Sequence, residues 1–212
     1  MAEIYSKPLA YLEKTHGVKY TSPEKSVNPE LMIQIKNEGK ASANIAEKLA
    51  KELQIEFSDY NVDFSKRWQS SGHLIRYFWI RLQKLGYEDC QNVIGVSFDY
   101  FSDELIFYIS VDLRELKATN RDRIKQYKLL KNTSLDNDFV YRTVEKTNNG
   151  NISYKSQNPN DIKNRLSGDM YPQIAYCLSK EDVDRMSDDE LLTLTVKKIK
   201  EIEKYYDYVV KD

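Results

Sequence analysis

Tyr77-Phe78-Trp79-Ile80-Arg81-Leu82, Val93-Ile94-Gly95-Val96-Ser97-Phe98-Asp99 and Glu104-Leu105-Ile106-Phe107-Tyr108-Ile109-Ser110-Val111-Asp112-Leu113 are the runs from which the fold is read. They are rich in β-branched and aromatic residues, and the first alternates in part, so each is expected to be a strand. Phe101-Ser102-Asp103-Glu104 is a short polar break between the last two, which predicts an antiparallel hairpin. Upstream, Tyr60-Asn61-Val62-Asp63-Phe64 alternates and predicts one more strand.

Outward from this block the period changes. Ile45, Leu49 and Leu53 recur every four residues, predicting a helix over Ser42 to Leu53 whose apolar face packs on the sheet. Two helix-like pieces precede it, Ile4 to Lys14 and Pro29 to Asn37, separated by Gly17, Ser22-Pro23 and Asn28-Pro29. Residues 1–40 are therefore expected to form a helical arm, and 41–212 a single domain. Downstream, Thr119 to Lys131 reads as a basic helix with Asn120 as N-cap and Ile124 and Leu129-Leu130 as its apolar contacts. Phe139 to Val144 and Asn151 to Lys155, joined across Asn148-Asn149-Gly150, predict a second hairpin. Asn158-Pro159-Asn160 opens a short helix, and Tyr171 to Leu178 is strand-like. Ser187-Asp188-Asp189-Glu190 has capping-box spacing, so a last helix should start near Asp188 and bury Leu191, Ile199, Ile202, Tyr205 and Tyr206. The fold class expected is α+β, a mixed, mainly antiparallel sheet flanked by helices.

Composition bounds the function. The chain has 212 residues, is 41% hydrophobic and 31% charged, and carries a net charge of −1. It can bury a sizeable core, and any nucleic-acid partner must be met by a local basic patch. Cys90 and Cys177 have no paired spacing, and Met1-Ala2-Glu3-Ile4 does not open a secretory leader, so reduced thiols and a cytoplasmic setting are expected. No apolar run reaches the roughly 20 residues that span a bilayer. Sixteen tyrosines against seven glycines suit both sheet faces and recognition surfaces.

The sequence lacks a phosphate-loop motif, a Gly-x-Gly-x-x-Gly fingerprint, a Gly-x-Ser-x-Gly elbow and a Cys-x-x-Cys pair, and has two histidines, His16 and His73. No cofactor and no metal site are expected. One enzyme-like pattern is present: Asp99 or Asp103 upstream of Glu115-Leu116-Lys117 is the layout of many magnesium nucleases, with carboxylates for the metal and lysine for the attacking water. The same residues read first as the solvated end of a strand, since an Asp followed by Glu-x-Lys arises readily by chance in a chain with 31% charged residues. Basic residues from Arg114 to Lys131, including Arg121 and Lys125, could follow a phosphate backbone or form a solvated helix face. Lys66, Arg67, Arg76 and Arg81 flank the polar loop Trp68-Gln69-Ser70-Ser71-Gly72-His73 and favour the phosphate reading. Within that loop small residues let a backbone approach a ligand, and Trp68 can either stack on a base or close one end of the core.

The order of these features resembles the N-terminal DNA-binding domain of McrB-type modification-dependent restriction proteins. A helix, a glycine-containing loop, an aromatic-Trp-Ile strand, Gly95-Val96-Ser97-Phe98-Asp99-Tyr100 and the Asp103-Glu104-Leu105-Ile106 turn follow that pattern over about Ser42 to Leu113. Phe78 stands where the family usually has proline, His73 where asparagine is common, and Ser71 where a filling aromatic would be. The resemblance implies a non-enzymatic reader of double-stranded DNA that flips a modified cytosine into a pocket of Trp79, Ser97, Phe98 and Asp99. It implies a DNA-entering loop of Trp68, Ser70, Ser71, Gly72 and His73. It also implies a GTP-driven motor and a nuclease subunit as partners, in phage defence. Phosphate contacts are expected from Lys66, Arg67, Arg76, Arg121 and Lys125. A magnesium nuclease and a protein-interaction module are the rival expectations.

Overall fold

Alternation along one strand sets the two sides of this protein. In β4 (Tyr77–Lys84), Phe78, Ile80 and Leu82 are buried, while Tyr77 is exposed and Trp79 and Arg81 are half-buried. The computed structural model, which describes residues 4–70, 73–101, 104–131, 134–147 and 150–211, extends this division across a seven-stranded sheet. Its other strands are β1 (Tyr60–Phe64), β5 (Asn92–Phe101), β6 (Glu104–Leu113), β7 (Val140–Thr147), β8 (Gly150–Ser156) and β9 (Gln173–Ser179). The order is β1-β4-β5-β6-β9-β7-β8, and every pairing is antiparallel among the described residues. β2 (Gln69–Ser70) and β3 (His73–Leu74) form a separate small hairpin. The fold is α+β.

Both expected hairpins form. β5 and β6 pair from Asn92 opposite Leu113 to Phe101 opposite Glu104, and β7 and β8 from Tyr141 opposite Ser156 to Thr147 opposite Gly150. Ser102, Asp103, Asn148 and Asn149 lie outside the described residues. β9 inserts between β6 and β7, so the second hairpin is carried to the far side of the sheet. There it curls until β8 comes near β5.

Helices α1 (Lys7–Thr15), α2 (Pro29–Glu56) and α6 (Asp188–Val210) cover one face. The expected pair Pro29 to Asn37 and Ser42 to Leu53 is one continuous helix, and the boundary expected at residue 40 falls inside it. Gly39, inside this helix, is there for packing. A Cβ at that position would lie 2.8 Å from the Tyr11 hydroxyl and 2.9 Å from Cε3 of Trp68, so only glycine lets these rings rest on the helix. α6 begins as expected: Ser187 Oγ accepts from the Glu190 N–H, and the Glu190 carboxylate accepts from Ser187 N–H at 2.7 Å.

Two expectations for α3 (Asn120–Tyr127) are corrected. Thr119 is the N-cap rather than Asn120, because its hydroxyl and the Asp122 carboxylate satisfy each other's backbone amides. Ile124 is 70% exposed, whereas Gln126 on the inner side is fully buried. Gln126 donates to the carbonyls of Val111 and Pro172 and accepts from Asn92, so α3 docks through an amide network, while the expected apolar contacts Leu129 and Leu130 lie in the turn Lys128–Lys131 that follows it.

Candidate nucleic-acid interface

Residues that alternate away from the helices meet in a cavity of about 280 Å³ on the opposite face. Register explains the grouping: Tyr77 lies opposite Asp99, Trp79 opposite Ser97, and Ser97 opposite Tyr108 on the next strand. Gly95 and Ser97 are small and leave depth, and a Cβ on Gly95 would come to 3.2 Å from Asp112 Oδ2. Tyr77, Trp79, Phe101, Tyr108 and Tyr171 provide aromatic wall, while Val144, Lys146 and Asn151 of the curled hairpin close the far side. The volume lies just under the roughly 300 Å³ at which drug-sized pockets begin, a size suited to one heterocycle.

The floor is polar and buried. Asp99 is 5% exposed; its Oδ1 accepts from the Tyr100 N–H at 2.8 Å and its Oδ2 from the Tyr108 hydroxyl at 3.4 Å. Burial pushes its carboxyl up to about 7, against the opposing pull of the Arg142 charge and these hydrogen bonds. Arg142 is 0% exposed. Its guanidinium stands 4.0 Å from the Tyr108 ring centre and 4.5 Å from that of Phe101. Nε donates to Ser153 Oγ at 2.9 Å and Nη1 to Gln173 Oε1 at 2.8 Å, while Nη2 has no hydrogen-bond partner among the described residues. Gln173 Nε2 and the Tyr171 hydroxyl each donate to Asp112 Oδ1 at 2.8 Å. Buried polar groups of this kind cost stability unless paired, which is why Arg142, Gln173, Tyr171 and Asp112 are held in one hydrogen-bonded network.

The rim carries both signs of charge. Arg81 covers one side of the Trp79 ring at 4.2 Å from its centre, Arg114 donates to Asp63 at 3.2 Å, and Lys146 pairs with Glu115. Asp99, Glu115 and Lys117 of the nuclease-like pattern all line this cavity. No group of three or more His, Cys, Asp or Glu is placed to hold a metal ion among the described residues.

Of the four expected pocket residues, Trp79, Ser97 and Asp99 come together and Phe98 does not. Phe98 is 1% exposed on the helix-covered side, 5.0 Å from Phe107 between ring centres, because neighbours along a strand face opposite ways. In the expected DNA loop, Ser71 and Gly72 lie outside the described residues, while Ser70 and His73 are exposed on the β2–β3 hairpin. Trp68 takes the core-closing place, half-buried on Gly39 and edge-on to Tyr20 at 4.9 Å.

Among the expected phosphate contacts, Lys66, Arg67, Arg76 and Arg121 are exposed. Lys125 is corrected: it is 9% exposed and its ammonium donates to the Val210 carbonyl at 3.0 Å, at the C-terminal end of α6 where a cation is favoured. Sequence reasoning missed Tyr108, Arg142, Tyr171 and Gln173. Tyr141-Arg142-Thr143 offered one signal, since alternation that buries Tyr141 turns Arg142 to the other face.

No family model matches the chain, and no curated protein matches it. No helix among the described residues is long and apolar enough to cross a membrane.

Proposed function

We propose that this chain is the DNA-recognition module of a modification-dependent restriction system, holding a modified cytosine flipped out of the duplex. The observation that carries this reading is the cavity in which Trp79 stands across from Ser97 and Asp99 on paired strands. A flipped base would lie against the aromatic wall with its edge toward the floor. Asp99, with its carboxyl near neutrality, can accept from the cytosine N4 amino group when ionised and can also donate to N3 when protonated. The lost stacking and pairing, a few kcal/mol, would be offset by these contacts. On this reading the protein works in the cytoplasm, beside a GTP-driven motor and a nuclease, and does not itself cut DNA.

A second reading rests on Asp99, Glu115 and Lys117 lining the same cavity, which keeps the magnesium nuclease in play. One experiment separates them: gel-shift titrations with duplexes carrying cytosine, 5-methylcytosine or 5-hydroxymethylcytosine, with and without magnesium. The expected result is intact DNA and at least about tenfold tighter binding of one modified duplex, a preference lost in Trp79→Ala, in line with the ~1–3 kcal/mol of one base-stacking contact. Equal affinity of wild type for all three duplexes would sink the base pocket. Magnesium-dependent cleavage that disappears in Glu115→Ala would establish the nuclease instead, and no binding to any duplex would leave the interaction-module reading.

A further inference from the structure

Both histidines of the chain line a second cavity, of about 340 Å³, on the other side of the sheet from the first. We propose that this cavity is a phosphate seat built from His16, Lys19, His73 and Arg76. His16 and Lys19 come from the turn that ends α1, His73 from β3, and Arg76 from the residue leading into β4. No Asp or Glu lines this cavity among the described residues, so the charges that its lining brings, Lys19 and Arg76, are both positive, and two imidazoles stand with them. In a chain whose net charge is −1, with 33 acidic residues, such a concentration of one sign is not the average surface.

The geometry is built rather than accidental to one side chain. Gly17 has φ of 72°, a left-handed conformation that reverses the chain just after His16, and the Val18 N–H closes this turn on the Thr15 carbonyl at 3.1 Å. The reversal brings Lys19 to the same cavity as His16. The His16 ring stacks on Tyr100, with centres 4.2 Å apart and planes at 30°, which holds the plane of the imidazole. An imidazole offers an N–H donor in any protonation state, Arg76 offers a planar fork and Lys19 a point charge, the donor set that suits a tetrahedral oxyanion.

Its position relates it to the first cavity. Tyr77 and Asp99, the last registered pair of β4 and β5, line the first cavity, and their chain neighbours Arg76, just before β4, and Tyr100, the next residue of β5, line the second. A backbone phosphate of nucleic acid is therefore the source to which we assign the seat, and that assignment rests on the function proposed above. The shared chemistry, a phosphate group, would equally be supplied by free phosphate.

The test uses the full chain and two measurements. Inorganic phosphate is titrated while the imidazole resonances of His16 and His73 are followed, and duplex affinity is measured over a range of salt concentrations. Both are repeated in the Lys19→Ala/Arg76→Ala double variant, whose fold is checked by circular dichroism, and the second in Trp79→Ala. Phosphate should shift both imidazoles in wild type and not in the double variant. Duplex affinity of the double variant should fall about tenfold or more whatever the modification, with the slope of log K against log salt reduced by about 0.9, the value for one phosphate. Trp79→Ala should keep the wild-type slope.

Imidazole shifts without any change of salt slope would support the seat and assign it to free phosphate. Shifts that persist while wild type fails to distinguish modified duplexes would leave the seat standing and remove the base pocket. Unshifted imidazoles together with an unchanged slope would overturn the proposal.

Discussion

The two faces of the central sheet are made by the same strands, and they differ in almost every physical respect. Phe78, Ile80, Leu82, Val96, Phe98, Phe107 and Ile109 face the helices and are at most 1% exposed. One residue along in each strand, Trp79, Arg81, Ser97, Asp99 and Tyr108 face a cavity. The first face is stabilised by removing apolar surface from water, at about 25 cal/mol per Å². The second buries Asp99, Arg142, Ser97 and Ser110, groups that lower stability unless each finds a partner, and Arg142 Nη2 and Ser110 Oγ find none among the described residues.

The largest expected effect sets the faces directly against each other. Phe98→Ala should destabilise the protein by about 3–5 kcal/mol through lost transfer energy and a cavity, while Ser97→Ala should stay within roughly 1 kcal/mol and act on duplex binding instead. Urea unfolding of the two variants decides it, and equal destabilisation would break the contrast between the faces.

Next comes the pH response of Asp99. Its carboxyl titrates near 7 when folded and near the ordinary 3.8 when unfolded, so between these values the folded state holds a proton that the unfolded state has lost. The stability from this group is complete below about pH 4 and is lost as pH rises to about 7, a change of roughly 2–4 kcal/mol. Urea midpoints across that range should therefore fall in wild type relative to Asp99→Asn. Parallel curves for the two proteins would mean that the carboxyl is not held in a desolvated floor.

A smaller effect sharpens where the covered face ends. Alanine at position 39 would gain helix propensity by about 1 kcal/mol but press on Tyr11 and Trp68, so Gly39→Ala should be destabilising by about 1–3 kcal/mol overall. Thermal unfolding checks the sign. A stabilised variant would show that Trp68 is loosely held and able to leave α2.

Much of this architecture was legible in local pattern. Period two marked β1 and, in part, β4, β-branched and aromatic composition marked β5 and β6, the capping box marked the start of α6, and the spacing of Ile45, Leu49 and Leu53 marked the buried side of α2. Where local signals failed, packing had overruled them. Pro29 to Asn37 and Ser42 to Leu53 read as separate pieces although α2 is continuous, with Tyr11 and Trp68 packed at its Gly39, and Ile124 reads as a core contact although Gln126 anchors α3. The site was half legible: Trp79, Ser97 and Asp99 could be placed on facing strands, but the choice of Phe98 as a fourth member ignored that it must point the opposite way.

The sequence alone determined most of the strands and helices, that both long hairpins form, and that Trp79 and Asp99 sit on strands, because each follows from local composition, periodicity and turn chemistry within about ten residues. Only the tertiary structure decided that β9 enters between β6 and β7 and that the second hairpin curls over the open face. That placement brings Arg142, Tyr171 and Gln173 to residues 30 to 60 positions distant, as in the Tyr171–Asp112 and Gln173–Asp112 hydrogen bonds with separations of 59 and 61. Contacts at such range carry no periodic signal, since what selects them is the shape left over once the apolar face has been buried.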